Sequence, residues 1–259
     1  WALITGASSG LGRAFARELA RNRVNCLLVG LGADALNAVR GELTAHCGIE
    51  CRPLELDLTG PDAMGALDAF VGDTPVGVLV NNAGIGCSGR FSTRDPMRLE
   101  RLIRLNCLVP VMLTRRYLPQ MLERGAGAVI IVSSLQAFIS CPFAAPYSGS
   151  KSFLLHFGES LWGELRSTPV DCITVCPAGM RTDSFASQGM PEKDCRSMSE
   201  VSVPPEEIAQ LTLRRLGKGP LAVPRQTRLV SLLARLMPRS WVTLLSKRVS
   251  RKLIDMESL

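Results

Sequence analysis

The stretch ALITGASSGLG, Ala2 to Gly12, runs an apolar segment straight into three glycines. Ala2–Thr5 reads as a strand. Gly6, Gly10 and Gly12 follow at the spacing GxxxGxG, and Leu11, Ala14, Phe15 and Leu19 then recur at helical intervals. A backbone without Cβ atoms turns tightly there and lets a pyrophosphate approach the helix N-terminus. The spacing differs from the GxGxxG of the common dinucleotide fingerprint. A glycine turn that holds no ligand is the plain alternative.

Working outward, the pattern repeats. VNCLLVG (24–30), CRPLELDL (51–58), VGVLVNNAG (76–84), AVIIVSS (128–134) and VDCITVCPAG (170–179) read as buried strands, and LAVP (221–224) as a short seventh. Helical spacing fills 33–46, 61–71, 96–123 (with interruptions expected near Pro110 and Pro119), about 148–166, and 205–216. Apolar strands without period-two polarity, alternating with helices, imply a parallel sheet covered on both faces. The expectation is a doubly wound α/β domain over residues 1–225, followed by a tail, 226–259. Ligands should gather at the carboxyl ends of its strands.

Composition narrows the function classes. The chain has 259 residues, 46% of them hydrophobic, enough for a sizeable core. No apolar run approaches the roughly 18–20 residues needed to span a bilayer, and no signal-peptide pattern opens the sequence. Trp1 already lies in an apolar run, so the first strand is expected to begin upstream. Nine cysteines at irregular spacing and two histidines assemble no zinc set, so no metal is expected. Buried reduced thiols point to a cytoplasmic protein. Of the net charge of +7, residues 221–259 supply +6, with eight Lys/Arg against two Asp/Glu. The basicity belongs to the tail, which argues against nucleic-acid binding by the whole surface.

YSGSK (147–151) holds one of only two tyrosines, with a lysine four residues on. At i, i+4 in a helix the two share a face, and Pro146 suits the helix start. A phenol with a pKa near 10 is a poor base at neutral pH, and a neighbouring ammonium stabilises its phenolate. Ser134 ends the fifth strand, 13 residues before Tyr147. Alone, a Ser-Ser pair there is more simply a cap. NNAG (81–84) ends the fourth strand, where small residues leave room for a flat ring and asparagine amides tie down loops. A strand-to-loop turn explains it equally well.

Together these motifs resemble the short-chain dehydrogenase/reductase family over roughly residues 1–225. TGASSGLG resembles its cofactor loop, LDLT (56–59) its adenine-contacting segment, NNAG its fourth-strand turn and CPAGMRT (176–182) its nicotinamide loop. The resemblance implies a Rossmann-like fold. It also implies a cofactor, NADP or NAD, held by Gly6, Ser8, Ser9, Gly10, Leu11, Gly12, Asp57, Leu58, Asn82, Ala83, Gly84, Tyr147, Lys151, Pro177, Met180 and Thr182. The implied catalytic set is Ser134, Tyr147, Lys151 and Asn106. Tyr147 exchanges the proton with the substrate oxygen, and Ser134 hydrogen-bonds that oxygen. Lys151 binds the nicotinamide ribose and lowers the tyrosine pKa, and Asn106 holds a relay water. The activity implied is hydride transfer between nicotinamide and a carbonyl or secondary alcohol, in a homo-oligomer.

Three departures stand out. Gly149 takes the place of the usual alanine, and a helical glycine costs up to about 1 kcal/mol. Ala178 replaces a usual glycine after Pro177. The second strand ends VGLG (29–32), with neither an acid at Gly30 to bind a ribose 2′-hydroxyl nor an arginine at Leu31 to favour NADP. The missing carboxylate tilts the expectation to NADP. Arg13 offers a charge for a 2′-phosphate but reads more simply as a solvated helix residue.

Residues 184–203 lie where the family places its substrate lid. Phe185, Met190 and Met198, with Phe138 and Phe143, imply an apolar pocket for a steroid, an oxoacyl chain or another lipophilic molecule. The tail reads as two amphipathic helices. Leu229, Leu232, Leu233 and Leu236 line the first, Pro238 ends it, Ser240 caps the second, and Trp241, Leu245, Val249 and Leu253 line that one. They pack on protein or, in the sharper reading, rest peripherally on a membrane. The competing reading for the whole chain is a catalytically silent cofactor-binding scaffold. Epimerase or dehydratase chemistry is a third option, disfavoured by the glycine spacing.

Overall fold

The computed structural model describes residues 1–178 and 203–253, the last three as backbone alone. The described strands are β1 (Ala2–Thr5), β2 (Cys26–Gly30), β3 (Cys51–Glu55), β4 (Val78–Asn81), β5 (Gly127–Val132), β6 (Val170–Val175) and β7 (Leu221–Ala222). They form one sheet in the order β3-β2-β1-β4-β5-β6-β7, and every pairing is parallel. The order reverses between β1 and β4, so a crevice opens at their carboxyl ends. The doubly wound expectation holds.

The described α-helices are α1 (Gly10–Arg21), α2 (Ala33–Cys47), α3 (Ala63–Val71), α4 (Pro96–Ile103), α5 (Val109–Arg124), α6 (Ala145–Leu165), α7 (Pro205–Arg215), α8 (Arg225–Leu236) and α9 (Arg239–Leu253). Successive strand residues serve opposite cores. Leu28, Ile130 and Ile173 meet Phe15, Leu19, Leu36 and Ile208 of α1, α2 and α7. Leu27, Val29, Leu79 and Ile131 meet Leu67, Leu113, Met121, Leu154 and Leu161 of α3, α5 and α6. Double coverage explains why the strands show no polar alternation.

Several boundaries differ from the sequence reading, for local reasons. β3 stops at Glu55 rather than residue 58, because the Asp57 carboxylate accepts from the Thr59 N–H at 2.9 Å and hydroxyl at 2.7 Å and folds the chain into a turn. The helical stretch 96–123 is disturbed ahead of Pro110, by a π-helical turn, Arg104–Leu108. Pro110 follows directly on that turn, in a helical path that runs unbroken from α4 into α5, so its missing N–H falls where the regular hydrogen-bond ladder is already broken. Pro119 lies inside α5 without ending it; it is exposed, so water can satisfy the carbonyl it frees. In the tail, α9 begins at Arg239, and Trp241 and Val242 bond back to the Pro238 carbonyl. Ser240 is therefore inside the first turn, and the cap expected of it is not made.

Candidate active site

The glycine loop is shaped by close packing. Gly6 has a φ of +65°, and a Cβ there would stand 2.8 Å from the Asn82 amide nitrogen. At Gly12 a Cβ would lie 2.1 Å from the Gly6 carbonyl oxygen. Gly12 is thus required by helix-on-loop packing, and it does not reach the cavity. Thr5 secures the loop to β4. Its hydroxyl donates to the Val80 carbonyl at 3.1 Å and accepts from the Asn82 and Ala83 N–H groups at 2.9 and 3.0 Å. Asn82 returns the tie by donating to the Thr5 and Gly6 carbonyls at 2.8 and 3.2 Å. The sequence reading missed Thr5. Its signal was one hydroxyl at the end of an otherwise apolar strand.

A cavity of about 470 Å3 opens beside this loop. Gly6, Ser8, Ser9, Gly10 and Leu11 line one end, and Asn82, Ala83 and Gly84 the middle. Ser134, Tyr147, Lys151 and Pro177 line the other. Ser9 makes no side-chain cap, so no hydroxyl crosses the first-turn amides of α1. An extended anionic dinucleotide fits such a trough, with its phosphates at these amides. Asp57 and Leu58 do not line it: Leu58 is buried in the core, and Asp57 is engaged by Thr59 and by Arg101 at 2.9 Å. Met180, Thr182 and the segment 184–202 lie outside the described residues.

The catalytic candidates converge through backbone contacts. Ser134 sits at the end of β5, and its hydroxyl accepts from the Gln136 N–H at 3.2 Å, so the cap reading holds as well. Lys151 is buried and donates to the Val132 carbonyl at 3.0 Å. Its ammonium stands 5.6 Å from the centre of the Tyr147 ring. The Ser133 hydroxyl donates to the Lys151 carbonyl at 2.7 Å, locking α6 to β5. Asn106, fully buried, projects from the π-helical turn. Its carboxamide accepts from the Ile85 N–H at 2.9 Å and donates to the Ile85 carbonyl and the Ser150 hydroxyl, each at 3.0 Å. It braces the loop after β4 against α6. A Cβ at Gly84 would fall 3.1 Å from the Asn106 oxygen and 3.5 Å from the Lys151 ammonium, so glycine lets these groups close ranks.

The electrostatics depart from the expected pairing. Burial raises the Tyr147 pKa above its usual value, and the hydrogen bond to Ser134 works against that rise. Burial also pushes Lys151 down, to about 8. The phenol is therefore held protonated at neutral pH, poised as an acid. Tyr117, the other tyrosine, lies in the core and is pushed up to about 12.

Phe138 and Phe143 stay out of this cavity: Phe138 lies under Arg235, and Phe143 lines a separate depression with Arg90 and Phe91. The apolar lining comes from Ile85, Cys87, Leu135, Ile139, Ala144 and Val249. Non-glycine residues with positive φ among those described are Arg23 and Phe143; Ala178 is not one of them, so its alanine carries no such strain. Arg13 pairs with Glu42 at 2.9 Å, which favours the simpler reading of its charge. At the end of β2, Glu55 lies alongside Gly30 in register and accepts from the Gly32 N–H at 2.8 Å, a carboxylate that the sequence did not place there. Among the described residues there are eight free cysteines and no cluster suited to a metal ion.

A glycine-loop crevice at the switch point of a parallel sheet, with tyrosine, lysine and serine at its far end, defines a dehydrogenase-type dinucleotide fold. The family profile described as short chain dehydrogenase matches residues 1–193, and the chain belongs to that family. An uncharacterized oxidoreductase of Myxococcus xanthus is 38% identical over 194 residues, covering 73% of this chain and 76% of that protein. A very-long-chain 3-oxoacyl-CoA reductase of Anas platyrhynchos is 32% identical over 182 residues. That match covers 68% of this chain but only 58% of the reductase. Among solved structures, a short-chain dehydrogenase from Sphingobium yanoikuyae in complex with NADPH superposes with a TM-score of 0.81 at 28% identity, over 91% of this chain and 92% of that one. A 7beta-hydroxysteroid dehydrogenase gives a TM-score of 0.87 at 23% identity, covering 95% and 96%, a likeness of fold.

Proposed function

We propose that this enzyme reduces the carbonyl group of a lipophilic substrate, an oxoacyl chain, a steroid or a similar molecule, with NADPH or NADH as hydride donor. The observation that carries the reading is the convergence of Ser134, Tyr147 and Lys151 on the cavity that the glycine loop also lines. Tyr147 gives its proton to the carbonyl oxygen, and its raised pKa keeps that proton in place at neutral pH. The Ser134 hydroxyl donates to the same oxygen and orients it. Lys151 would hold the nicotinamide ribose, and the first turn of α1 the phosphates. Asn106 supports the relay by fixing the loop after β4. When bound, the nicotinamide supplies the hydride. The apolar lining and the named activities of relatives support a lipophilic substrate.

For the cofactor, Gly30 presents no carboxylate against a 2′-phosphate, which favours NADP, whereas Glu55 on the next strand opposes it. NADP is the preferred form, since the carboxylate at the Gly30 position itself is absent and Glu55 is turned to the Gly32 N–H. A panel of ketones, oxoacyl thioesters and secondary alcohols, run with both cofactors and followed at the reduced-nicotinamide absorbance, tests the reading. Turnover of lipophilic carbonyls is the expected outcome. A flat response across the panel would favour a silent cofactor-binding scaffold.

A further inference from the structure

The two C-terminal helices are built inside out for a protein surrounded by water. α8 turns Thr227 and Ser231 inward, where both are buried. Their hydroxyls donate within the helix, to the Pro224 and Arg228 carbonyls at 3.1 and 2.8 Å, so the polar edge is buried with its hydrogen bonds made. The leucines face out: Leu229 is 64% exposed and Leu236 74%, with Leu232 and Leu233 beside them. α9 adds Trp241, 63% exposed, and Leu244 and Leu245. Exposed large apolar side chains gathered along a helix in this way mark an interaction site.

Charge selects the occupant. From residue 221 to 253 the chain carries eight Lys/Arg and no Asp/Glu. A second copy meeting this face by twofold symmetry would bring cations to cations, with no carboxylate from the helices themselves to offset them and only Glu159 of α6 reaching one of them, Arg235. A bilayer containing anionic lipid satisfies both parts, with leucines and tryptophan at the acyl boundary and cations among the headgroups. The helices, of 12 and 15 residues, are too short to cross it, and no helix among the described residues is long and apolar enough to do so. They would lie in its plane.

The pair is also tied to the active site. Arg235 of α8 stacks on Phe138 at 4.7 Å and reaches Glu159 at 3.7 Å. On α9, the Ser246 hydroxyl donates to the Ser140 carbonyl at 2.7 Å, and Val249 lines the catalytic cavity.

We propose that α8 and α9 form a docking face for an anionic lipid surface and hold the mouth of the catalytic cavity against it. Entry of a lipophilic substrate from the bilayer rests on the function proposed above; docking itself does not, and it is measured without substrate. The test is flotation of the full chain with vesicles of phosphatidylcholine alone and of equal parts phosphatidylcholine and phosphatidylglycerol. Binding should be roughly ten-fold or more stronger on the mixed vesicles. Leu229→Asp/Leu236→Asp should lose at least about ten-fold of that binding, with NADPH affinity unchanged. Arg239→Glu/Arg248→Glu should lose only the preference for anionic lipid. Three results would overturn the proposal: no flotation with either vesicle, equal flotation with both, or a solution dimer that the leucine variant dissociates. The last would assign the face to a second copy.

Discussion

At the scale of single residues, Lys151 links burial to pH. Its pKa, pushed down to about 8 from 10.5, means that the folded, ligand-free enzyme loses this cation as the pH rises through about 8. Affinity for NADPH should be flat below pH 7 and weaken above about 8, and Lys151→Met should be weaker and flat throughout; fluorescence titration reads both. The stability sign runs the other way. Between about 8 and 10.5 the unfolded chain holds a proton that the folded chain has lost, so this group makes folding more favourable as pH rises. Gly149 tests another residue-scale point. A Cβ there would meet nothing within 4 Å, and the glycine is exposed on α6. Gly149→Ala should raise stability by about 0.5–1 kcal/mol in denaturant unfolding and leave turnover unchanged. Loss of turnover would show that freedom at this turn is needed between Tyr147 and Lys151.

At the scale of elements, α1, α2 and α7 meet over one guanidinium, that of Arg17. Glu42 accepts from Arg17 at 2.6 Å and Arg13 at 2.9 Å, and Arg17 also reaches Glu206 at 3.2 Å. The Arg17 hydrogen bond, with help from Arg13 and against the opposing effect of burial, holds the Glu42 pKa down to about 2. A depressed carboxylate contributes stability above its unfolded value near 4.5 and loses that contribution as pH falls towards 2. Glu42→Gln should therefore cost about 1 kcal/mol at pH 7, a figure reduced for solvent screening of a part-exposed group. The gap to the parent should close between about pH 4.5 and 2. A gap of constant size would mean that the side chain acts by packing. Elements also show what could be read beforehand. The apolar strands and the glycine loop were legible because burial on both faces and missing Cβ atoms leave marks in single residues. The π-helical turn carrying Asn106 was not, since its ties, to the Ile85 backbone and the Ser150 hydroxyl, join segments distant in sequence. Glu55 escaped because its meaning depends on register with Gly30. Periodicity in α8 identified the leucine face but not the direction it turns, which only packing decides.

At the scale of the molecule, the sheet's change of strand order creates the crevice, and residues distant in sequence line and brace it. Thr5, Gly84, Asn106, Ser134 and Lys151 come from five separate segments, so the site exists only in the finished fold. Around it the charge is uneven: of the net +7, residues 221–259 supply +6, and Val249 of α9 lines the cavity. The central claim is that this assembly transfers a hydride with Tyr147 as proton donor. Tyr147→Phe, which removes one oxygen from the cavity, addresses it most directly, with turnover on the best carbonyl substrate of the panel and NADPH affinity measured on the same preparation. The account predicts a loss of turnover of roughly a hundred-fold or more with cofactor affinity kept; near-normal turnover would contradict it.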